Sequence, residues 1–234
     1  MSRQPKATID PRPPLSRERV LRAAVDLADE SGLDALTMRE LGKRLGVEAM
    51  SLYNHVANKD DILDGILDLV VSEIDLPSGD VDWRVAMRRR AVSAREVFAR
   101  HPWASMLNDS RESSGPGRMY YFDWVIGTLR RAGFSVELAV HAFSALDSYV
   151  YGFGRQQLNM SAGEGTAEES AEAILSAIPA GEFPYLAEVI TDFMLKVGYD
   201  ESVDFNFGMG LILDGLERAR DSRESRGLGL PTAK

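Results

Sequence analysis

Apolar residues recur at helical spacing along almost the whole chain after residue 15, and no segment alternates as a β-strand would. The first such segment follows Ser16, a residue suited to the start of a helix, and it ends at Gly32, a residue suited to a helix end. The pattern predicts an all-α protein that begins with an amphipathic helix between these two residues.

A second and a third helix are predicted in close succession. Thr37 with Glu40 three positions later has the form of a capping box, and Gly46 ends the second helix. A short third helix from about Glu48 to Val56 follows this tight turn. Two helices joined by a glycine turn predict a helix-turn-helix, the second helix of which lies in a DNA major groove.

The remaining periodic segments predict further helices. Asn58 caps a long fourth helix that would reach Pro77, where the Pro77–Asp80 stretch forms a linker. Beyond the linker the predicted helices cover, approximately, residues 83–100, 103–107, 118–132, 136–157, 166–177, 185–197 and 203–223.

Composition limits the possible chemistry. The 234 residues include no cysteine, which excludes disulfides and thiolate metal sites. No run of about 18 apolar residues is present, and the N-terminal segment lacks the apolar core of a signal peptide. We therefore expect a cytoplasmic protein that does not enter a membrane.

The net charge of −9 is unevenly distributed. Residues 1–61 hold 10 basic and 10 acidic side chains, whereas residues 62–234 hold 17 and 26. The acidity thus lies away from the helix-turn-helix, and phosphate would repel the acidic part and favour approach of the neutral part. Arg3, Lys6 and Arg12 lie on a proline-rich arm that either reaches DNA or is a disordered tail.

The span from Ser16 to Lys59, with the core GLDALTMRELGKRLGVEAMSLYNHVANKDDIL, resembles the DNA-binding head of TetR-family transcriptional repressors. The later segments DWRVAMRRRAVSAREVFARHPW and AGFSVELAVHAFSALDSYVYGFG resemble the ligand-binding and dimerising domain of the tetracycline repressor subgroup. The resemblance implies a three-helix head joined by a long fourth helix to a helical ligand-binding and dimerisation domain. The expected organisation is an arm at 1–15, a DNA-binding domain at 16–61, a second domain at 62–226 and a tail at 227–234.

The resemblance also implies which residues meet DNA. Thr37 would bind a phosphate at a helix end, and Arg39 would reach a base edge. Lys59 matches a phosphate-contacting lysine at the start of the fourth helix. The remaining expected contacts lie on or just after the recognition helix: Ala49, Met50, Ser51, Tyr53, Asn54 and His55. Ala49 and Asn54 depart from the residues of the tetracycline repressor, so a different operator sequence is expected.

The second domain is rich in aromatic residues and methionine, which suit either an apolar core or a large ligand cavity. Asp147 lies in an apolar run, where a carboxylate needs a partner, a cavity or an interface. The residues expected to bind a ligand are Arg90, Trp103, Asn108, Phe122, Asp147 and Tyr151.

The magnesium–tetracycline site of the best-known relative is not expected here. By the resemblance, its ligand-histidine positions are occupied by Asp75, Asn108 and Ser148. We expect no metal, no cofactor and a mostly apolar small-molecule effector instead.

A homodimer is expected because one short recognition helix reads few base pairs, whereas a two-fold dimer reads a palindromic operator. The resemblance places the dimer contact on the helices at about 136–157 and 203–223. The small residues that would allow close approach there, or would serve packing within one subunit, are Ala139, Ala142, Ala145, Gly208, Gly210 and Gly215.

The leading hypothesis is a repressor that a small molecule releases from its operator. One alternative is a DNA-binding regulator whose second domain is only a dimer scaffold. The other is an enzyme that uses the helical body, although the sequence contains no constellation of catalytic residues that supports it.

Overall fold

The computed structural model describes residues 14–109, 111, 115–161, 166–179, 181–196 and 200–226. Within these ranges all regular elements are helices, which confirms the predicted all-α fold. The expected tail and the expected arm, apart from Pro14 and Leu15, lie outside the described residues, and so do Arg3, Lys6 and Arg12.

Three helices form the head, which agrees with the capping signals of the sequence. The hydroxyl of Ser16 accepts a hydrogen bond from the backbone N–H of Arg19 at 3.2 Å, and a 3₁₀ turn, Leu33–Ala35, follows the first helix. The bounds are α1 Arg17–Ser31, α2 Met38–Leu45 and α3 Ala49–Leu52.

The third helix is shorter than the predicted span of residues 48–56. After Leu52 the N–H groups of residues 53–55 bond to carbonyls three residues back instead of four, so the chain tightens into turns. Arg17 of α1 holds this turn from outside, because its guanidinium donates to the carbonyl of His55 at 3.3 Å. The early end of α3 is therefore accompanied by a tertiary contact, which the local sequence pattern could not predict.

The fourth helix, α4, covers Lys59–Val71 and does not reach Pro77 as predicted. The hydroxyl of Ser72 donates to the carbonyl of Asp68 at 2.7 Å, and the backbone then turns with i→i−3 bonds at Glu73 and Ile74. A serine that bonds to the preceding turn weakens helix continuation. The linker predicted at residues 77–80 is confirmed as non-helical.

The body consists of seven further helices in the described part of the chain. Their bounds are α5 Trp83–Arg100, α6 Pro102–Asp109, α7 Pro116–Arg131, α8 Val136–Ser161, α9 Ala167–Ala177, α10 Pro184–Val189 and α11 Glu201–Arg226. Thr166 and Glu169 form a capping box at the start of α9.

The predicted helix at residues 185–197 is interrupted. After Val189 the helix widens into a π-helix over Ile190–Met194. The hydroxyl of Thr191 donates to the carbonyl of Ala187 at 2.8 Å, which competes with the regular hydrogen-bond ladder.

One continuous apolar core joins the head to the body. It includes fully buried side chains from α4, α5, α7 and α8, among them Ile66, Met87, Val125, Leu129 and Leu146. Burial of such side chains supplies the main driving force for packing these helices together. None of the described helices is long and apolar enough to cross a membrane.

A polar cluster also links head and body. Asp29 of α1 accepts a hydrogen bond from the indole nitrogen of Trp103 at 2.7 Å and lies 2.8 Å from Nδ1 of His101. Arg100 pairs with Glu73, beyond the end of α4, at 2.8 Å. The start of α6 is thereby anchored to α1 and to the segment after α4.

Candidate functional site

The turn between α2 and α3 is built for close approach of the two helices. Gly46 adopts a left-handed conformation with φ 69°, and the N–H of Val47 donates to the carbonyl of Gly42 at 2.9 Å. A Cβ on Gly42 would lie 2.9 Å from the carbonyl oxygen of Val47 and 3.1 Å from the nitrogen of Ala49. Gly42 is thus the residue that allows α3 to pack against α2, a role that sequence reasoning missed.

The third helix and its following turn separate buried from exposed side chains. Leu52 and Val56 are buried, whereas Met50 is 75% exposed and Tyr53 47% exposed. Asn54 is exposed, and the remaining expected contacts of this segment, Ala49, Ser51 and His55, are half-buried. The segment therefore offers a mixed polar and apolar face to an outside partner.

The other expected DNA contacts flank this face. Thr37 is exposed and caps α2, because its hydroxyl accepts from the N–H of Glu40 at 3.2 Å. The second half of the predicted capping box is replaced by a pair between Glu40 and Lys43 at 3.1 Å. Arg39 and Lys59 are exposed, and neither has an ion-pair partner among the described residues.

An ion pair holds the corner between α3 and α4. The Arg17 guanidinium contacts the two carboxylate oxygens of Asp61 at 2.8 and 2.6 Å, and Asp61 also accepts from the N–H of Ala57 at 2.8 Å. Hydrogen bonding from Arg17 lowers the pKa of Asp61. The pair fixes the start of α4, where Lys59 lies, relative to α1.

The body contains a cavity of about 710 Å³ among the end of α4, the α6–α7 segment and α8. This volume lies within the usual range of small-molecule sites, about 300–1,000 Å³. The described residues that line it are Val71, Asn108, Arg111, Arg118, Met119, Tyr121, Phe122, Asp123, Phe143, Ser144, Asp147, Ser148 and Tyr151.

Four of the six residues predicted for ligand binding line this cavity: Asn108, Phe122, Asp147 and Tyr151. The other two lie elsewhere. Trp103 donates to Asp29 and belongs to the cluster that links α6 to α1. Arg90 is fully buried behind the cavity wall. Local sequence could not separate these two from the lining residues, because the direction of a side chain depends on helix packing.

Arg90 supports the wall through two lining residues. Its Nη1 donates to Asp147 at 2.5 Å and to the Tyr121 hydroxyl, and that hydroxyl donates to Asp147 at 3.0 Å. Burial by itself lowers the pKa of Arg90, but Tyr121 and Asp147 outweigh it and raise that pKa, so the guanidinium stays charged. Burial also raises the pKa of Tyr121, which stays a neutral hydroxyl. Asp147, a carboxylate within an apolar segment, therefore has an ion-pair partner in Arg90 and also lines the cavity.

Helix α4 is bonded to the rim of the same cavity. Arg111 contacts Asp60 at 2.7 Å and Asp64 at 3.3 Å. The carboxylate of Asp68 accepts from the backbone N–H groups of Gly117 and Arg118 at 3.0 and 2.8 Å. The helix that begins at Lys59 is therefore held by residues that line or adjoin the cavity.

Sequence reasoning missed Arg118. A basic residue in the first turn of a helix is unfavourable next to the positive end of the helix dipole, and this anomaly was available as a signal. Among the described residues, nitrogens Nε and Nη2 of Arg118, like those of the fully buried Arg90, are shielded from solvent and have no hydrogen-bond partner.

Of the three residues that the resemblance places at the ligand-histidine positions of the tetracycline repressor, two line the cavity and one does not. Asn108 and Ser148 line the cavity, but Asp75 pairs with Arg89 at 3.0 Å outside it.

Comparison with known proteins identifies matches over both parts of the chain. Residues 20–66 match the family described as bacterial regulatory proteins, tetR family. Residues 76–220 match the family described as tetracyclin repressor-like, C-terminal domain. The first match ends within α4, and the second begins in the segment between α4 and α5.

Named relatives are transcriptional regulators. The HTH-type transcriptional repressor DrrR1 of Streptomyces coeruleorubidus is 35% identical over 217 residues, which cover 88% of this chain and 79% of the relative. The class C tetracycline repressor of Escherichia coli is 30% identical over 88% of this chain and 92% of the relative.

Among solved structures, the ActR protein of Streptomyces coelicolor in complex with actinorhodin is similar, with a TM-score of 0.75 and 28% identity. The similarity covers 89% of this chain and 99% of ActR. A tetracycline repressor variant of Acinetobacter baumannii in complex with minocycline has a TM-score of 0.63 and 26% identity, over 88% of this chain and 99% of that one.

Proposed function

Because the chain belongs to the TetR family of bacterial transcriptional regulators, we propose that it binds a palindromic DNA operator as a homodimer and leaves it when a small molecule fills the body cavity. The main support for the proposal is that one helix, α4, extends from the DNA-binding face of the head to the body cavity. Helix α4 begins at Lys59, beside residues 49–55, which we call the recognition segment, and ends at Val71, which lines the cavity.

The DNA-binding half of the proposal rests on the exposed face of the head. Arg39 would donate to a base edge, most naturally to guanine, through its two-pronged guanidinium. Thr37 and Lys59 would contact phosphates. The segment of Ala49, Met50, Ser51, Tyr53, Asn54 and His55 would enter the major groove and line its edge.

Dimerisation would bring two such faces to one operator. Val203, Phe207 and Leu211 recur every four residues on α11, and all three are exposed, Phe207 at 69%. Val136 and Val140 of α8 are exposed as well. Apolar side chains in such a row favour burial against a second copy of the chain.

The small residues of these helices divide between two roles. Ala139 and Ala142 are fully buried within one subunit, and a Cβ on Gly208 would collide with Tyr149. These three serve packing inside the subunit. Ala145 and Gly215 are exposed and remain available to a dimer contact.

Ligand response would operate through α4. A molecule in the cavity would displace α7 or Arg111, and either movement reaches α4 through Asp68, Asp60 or Asp64. A coupling of about 1–3 kcal/mol, typical of such effects, would lower operator affinity 5–150-fold. The cavity of about 710 Å³ favours this proposal over a scaffold without a ligand.

The test begins with selection of an operator from a random DNA duplex library by the purified full chain. We expect a palindromic sequence to be enriched and Arg39→Ala or Lys59→Ala to weaken its binding at least about tenfold, as loss of a base or phosphate contact does. Arg89→Ala and Lys196→Ala remove equal charge from exposed positions of the body and serve as controls. Wild-type affinity in both head variants would show that the proposed DNA face is wrong.

A further inference from the structure

The cavity is lined by a positively charged, half-buried side chain, Arg118, that has no ion-pair partner among the described residues. Its Nε and Nη2 atoms are shielded from water and have no hydrogen-bond partner in the part of the chain that the structure describes. A guanidinium has five N–H donors, no acceptor and a charge that it does not lose. Withdrawal of such donors from water is costly unless acceptors, preferably anionic ones, meet them.

The other charges at the cavity are already matched or solvated. Asp147 pairs with Arg90 at 2.5 Å, and Arg111 pairs with Asp60 and Asp64 of α4. Asp123 is exposed, so water stabilises its carboxylate without a partner. Among the described lining residues, Arg118 is thus the shielded cation without an ion-pair partner.

The remaining walls are largely aromatic. The rings of Phe122 and Phe143 meet edge to face at 4.9 Å, and those of Tyr121 and Phe143 at 6.2 Å. Tyr151 completes this side of the cavity. Aromatic side chains pack well against flat rings, in offset or edge-to-face geometry.

We propose that the effector of this cavity is a flat aromatic molecule with an acidic group, and that the acidic group pairs with Arg118. The proposal rests on the ligand response proposed above for the same cavity. The rings of the ligand lie among Phe122, Phe143 and Tyr151, while Asn108, Ser144 and Ser148 provide polar groups along the walls.

Arg118 also connects the cavity to α4, the helix that leads to the head. Its backbone N–H donates to Asp68 of α4 at 2.8 Å, so the residue that holds the acid also holds the connecting helix. A movement of the Arg118 backbone changes this bond directly.

The experiment compares three compounds with one ring system. Anthraquinone-2-carboxylic acid, its carboxamide and the corresponding aminomethyl compound are titrated into the full chain at pH 7 by calorimetry. We expect the acid to bind at least about tenfold more tightly than the amide, because a charge-assisted hydrogen bond is roughly twice as strong as a neutral one. The amine is expected to bind most weakly.

Variants of Arg118 test whether this residue causes the preference for the acid over the amide. Arg118→Gln removes the acid-over-amide preference, Arg118→Lys keeps part of it, and the control Arg89→Gln leaves it unchanged. Urea unfolding of each variant confirms that the protein is folded. The proposal is overturned if the amide or amine binds as tightly as the acid, if Arg118→Gln keeps the preference, or if none of the compounds binds at 1 mM.

Failure here differs from failure of the proposed function. An acid that binds through Arg118 without release of the selected operator supports the ligand class and contradicts the ligand response. A selection that enriches no operator contradicts the DNA-binding proposal and leaves the calorimetric result intact.

Discussion

Asp68 of α4 accepts a hydrogen bond from the backbone N–H of Arg118 at 2.8 Å, and its second carboxylate oxygen accepts from Gly117 at 3.0 Å. A side chain from one helix thereby caps the first turn of another. Close packing accompanies these bonds, since a Cβ on Gly117 would lie 2.8 Å from the carbonyl oxygen of Asp68. A carboxylate at this position also interacts favourably with the dipole of α7.

Asp68→Ala should therefore destabilise the protein and weaken its ligand response. Loss of a capping side chain costs about 0.5–2 kcal/mol of the free energy of unfolding, which urea denaturation measures. Operator affinity without ligand should stay close to that of the wild type, because Asp68 lies away from the DNA face. Asp192→Ala removes an exposed carboxylate paired with Lys196 and should change stability by less than about 0.5 kcal/mol. An equal loss of unfolding free energy in Asp68→Ala and Asp192→Ala would argue against the capping role of Asp68.

The Arg17–Asp61 pair should make part of the stability depend on pH. Arg17 lowers the pKa of Asp61 below its ordinary value of 3.8, so the contribution is complete above that value and is lost as the pH falls through the lowered pKa. We expect Arg17→Gln to reduce the free energy of unfolding at pH 7 by about 1 kcal/mol or less, because the Arg17 side chain is 47% exposed.

Urea unfolding at pH 7 and below pH 3.8 tests this expectation. The difference between wild type and Arg17→Gln should shrink in acid. Arg22→Gln, which removes a more exposed pair with Glu18, is the matched control and should have little effect. A difference for Arg17→Gln that stays constant across this range would contradict the assignment.

Gly42→Ala should disturb the position of the recognition segment. The added Cβ would lie 2.9 Å from the carbonyl oxygen of Val47, and relief of this contact must move backbone atoms. Overpacking of this kind costs about 1–3 kcal/mol. Gly152→Ala places a Cβ where no atom lies within 4 Å, so it should be neutral or stabilise α8 by up to about 1 kcal/mol. Thermal unfolding and operator titration of the two variants compare these outcomes.

Phe207→Glu and Leu211→Glu should convert the proposed dimer to monomers. Each substitution places a charge in the apolar row of α11, where both side chains are more than half exposed in one subunit. Light scattering coupled to gel filtration measures the mass, and operator affinity should fall with loss of the dimer. Met106→Glu alters a residue of similar exposure, 67%, on α6 and should remain dimeric. Retention of the dimer mass in both α11 variants would exclude this face.

The helices of the head were predictable because their signals are local. Ser16, Thr37 and Asn58 each cap a helix where the sequence indicated, and Gly46 ends α2 in the left-handed conformation. Capping depends on backbone groups within three or four residues, so the spacing of residues in the sequence predicts it. The ends of α3 and α4 were less predictable, because contacts from Arg17 and the side chain of Ser72 bear on them.

The expected ligand residues show the same limit. Asp147 was recognised because a carboxylate in an apolar run needs an explanation within its own helix. Arg90 and Trp103 were assigned to the cavity, yet they pack behind its wall and against α1. Which of several helices a long side chain faces is a property of packing and not of local periodicity.

The amino-acid sequence by itself determined the helical architecture and the helix-turn-helix, since these follow from periodicity and capping, and its resemblance to known repressors indicated the family. Only the tertiary structure decided which residues line the cavity and how the cavity is connected to the head. Asp68 and Arg118 are 50 residues apart, and their bond forms because α4 and α7 pack side by side. The unmet N–H groups of Arg118 likewise arise only when packing shields its Nε and Nη2 atoms from water. Helix formation is a short-range process, whereas burial and unmet hydrogen bonds arise when distant segments come together.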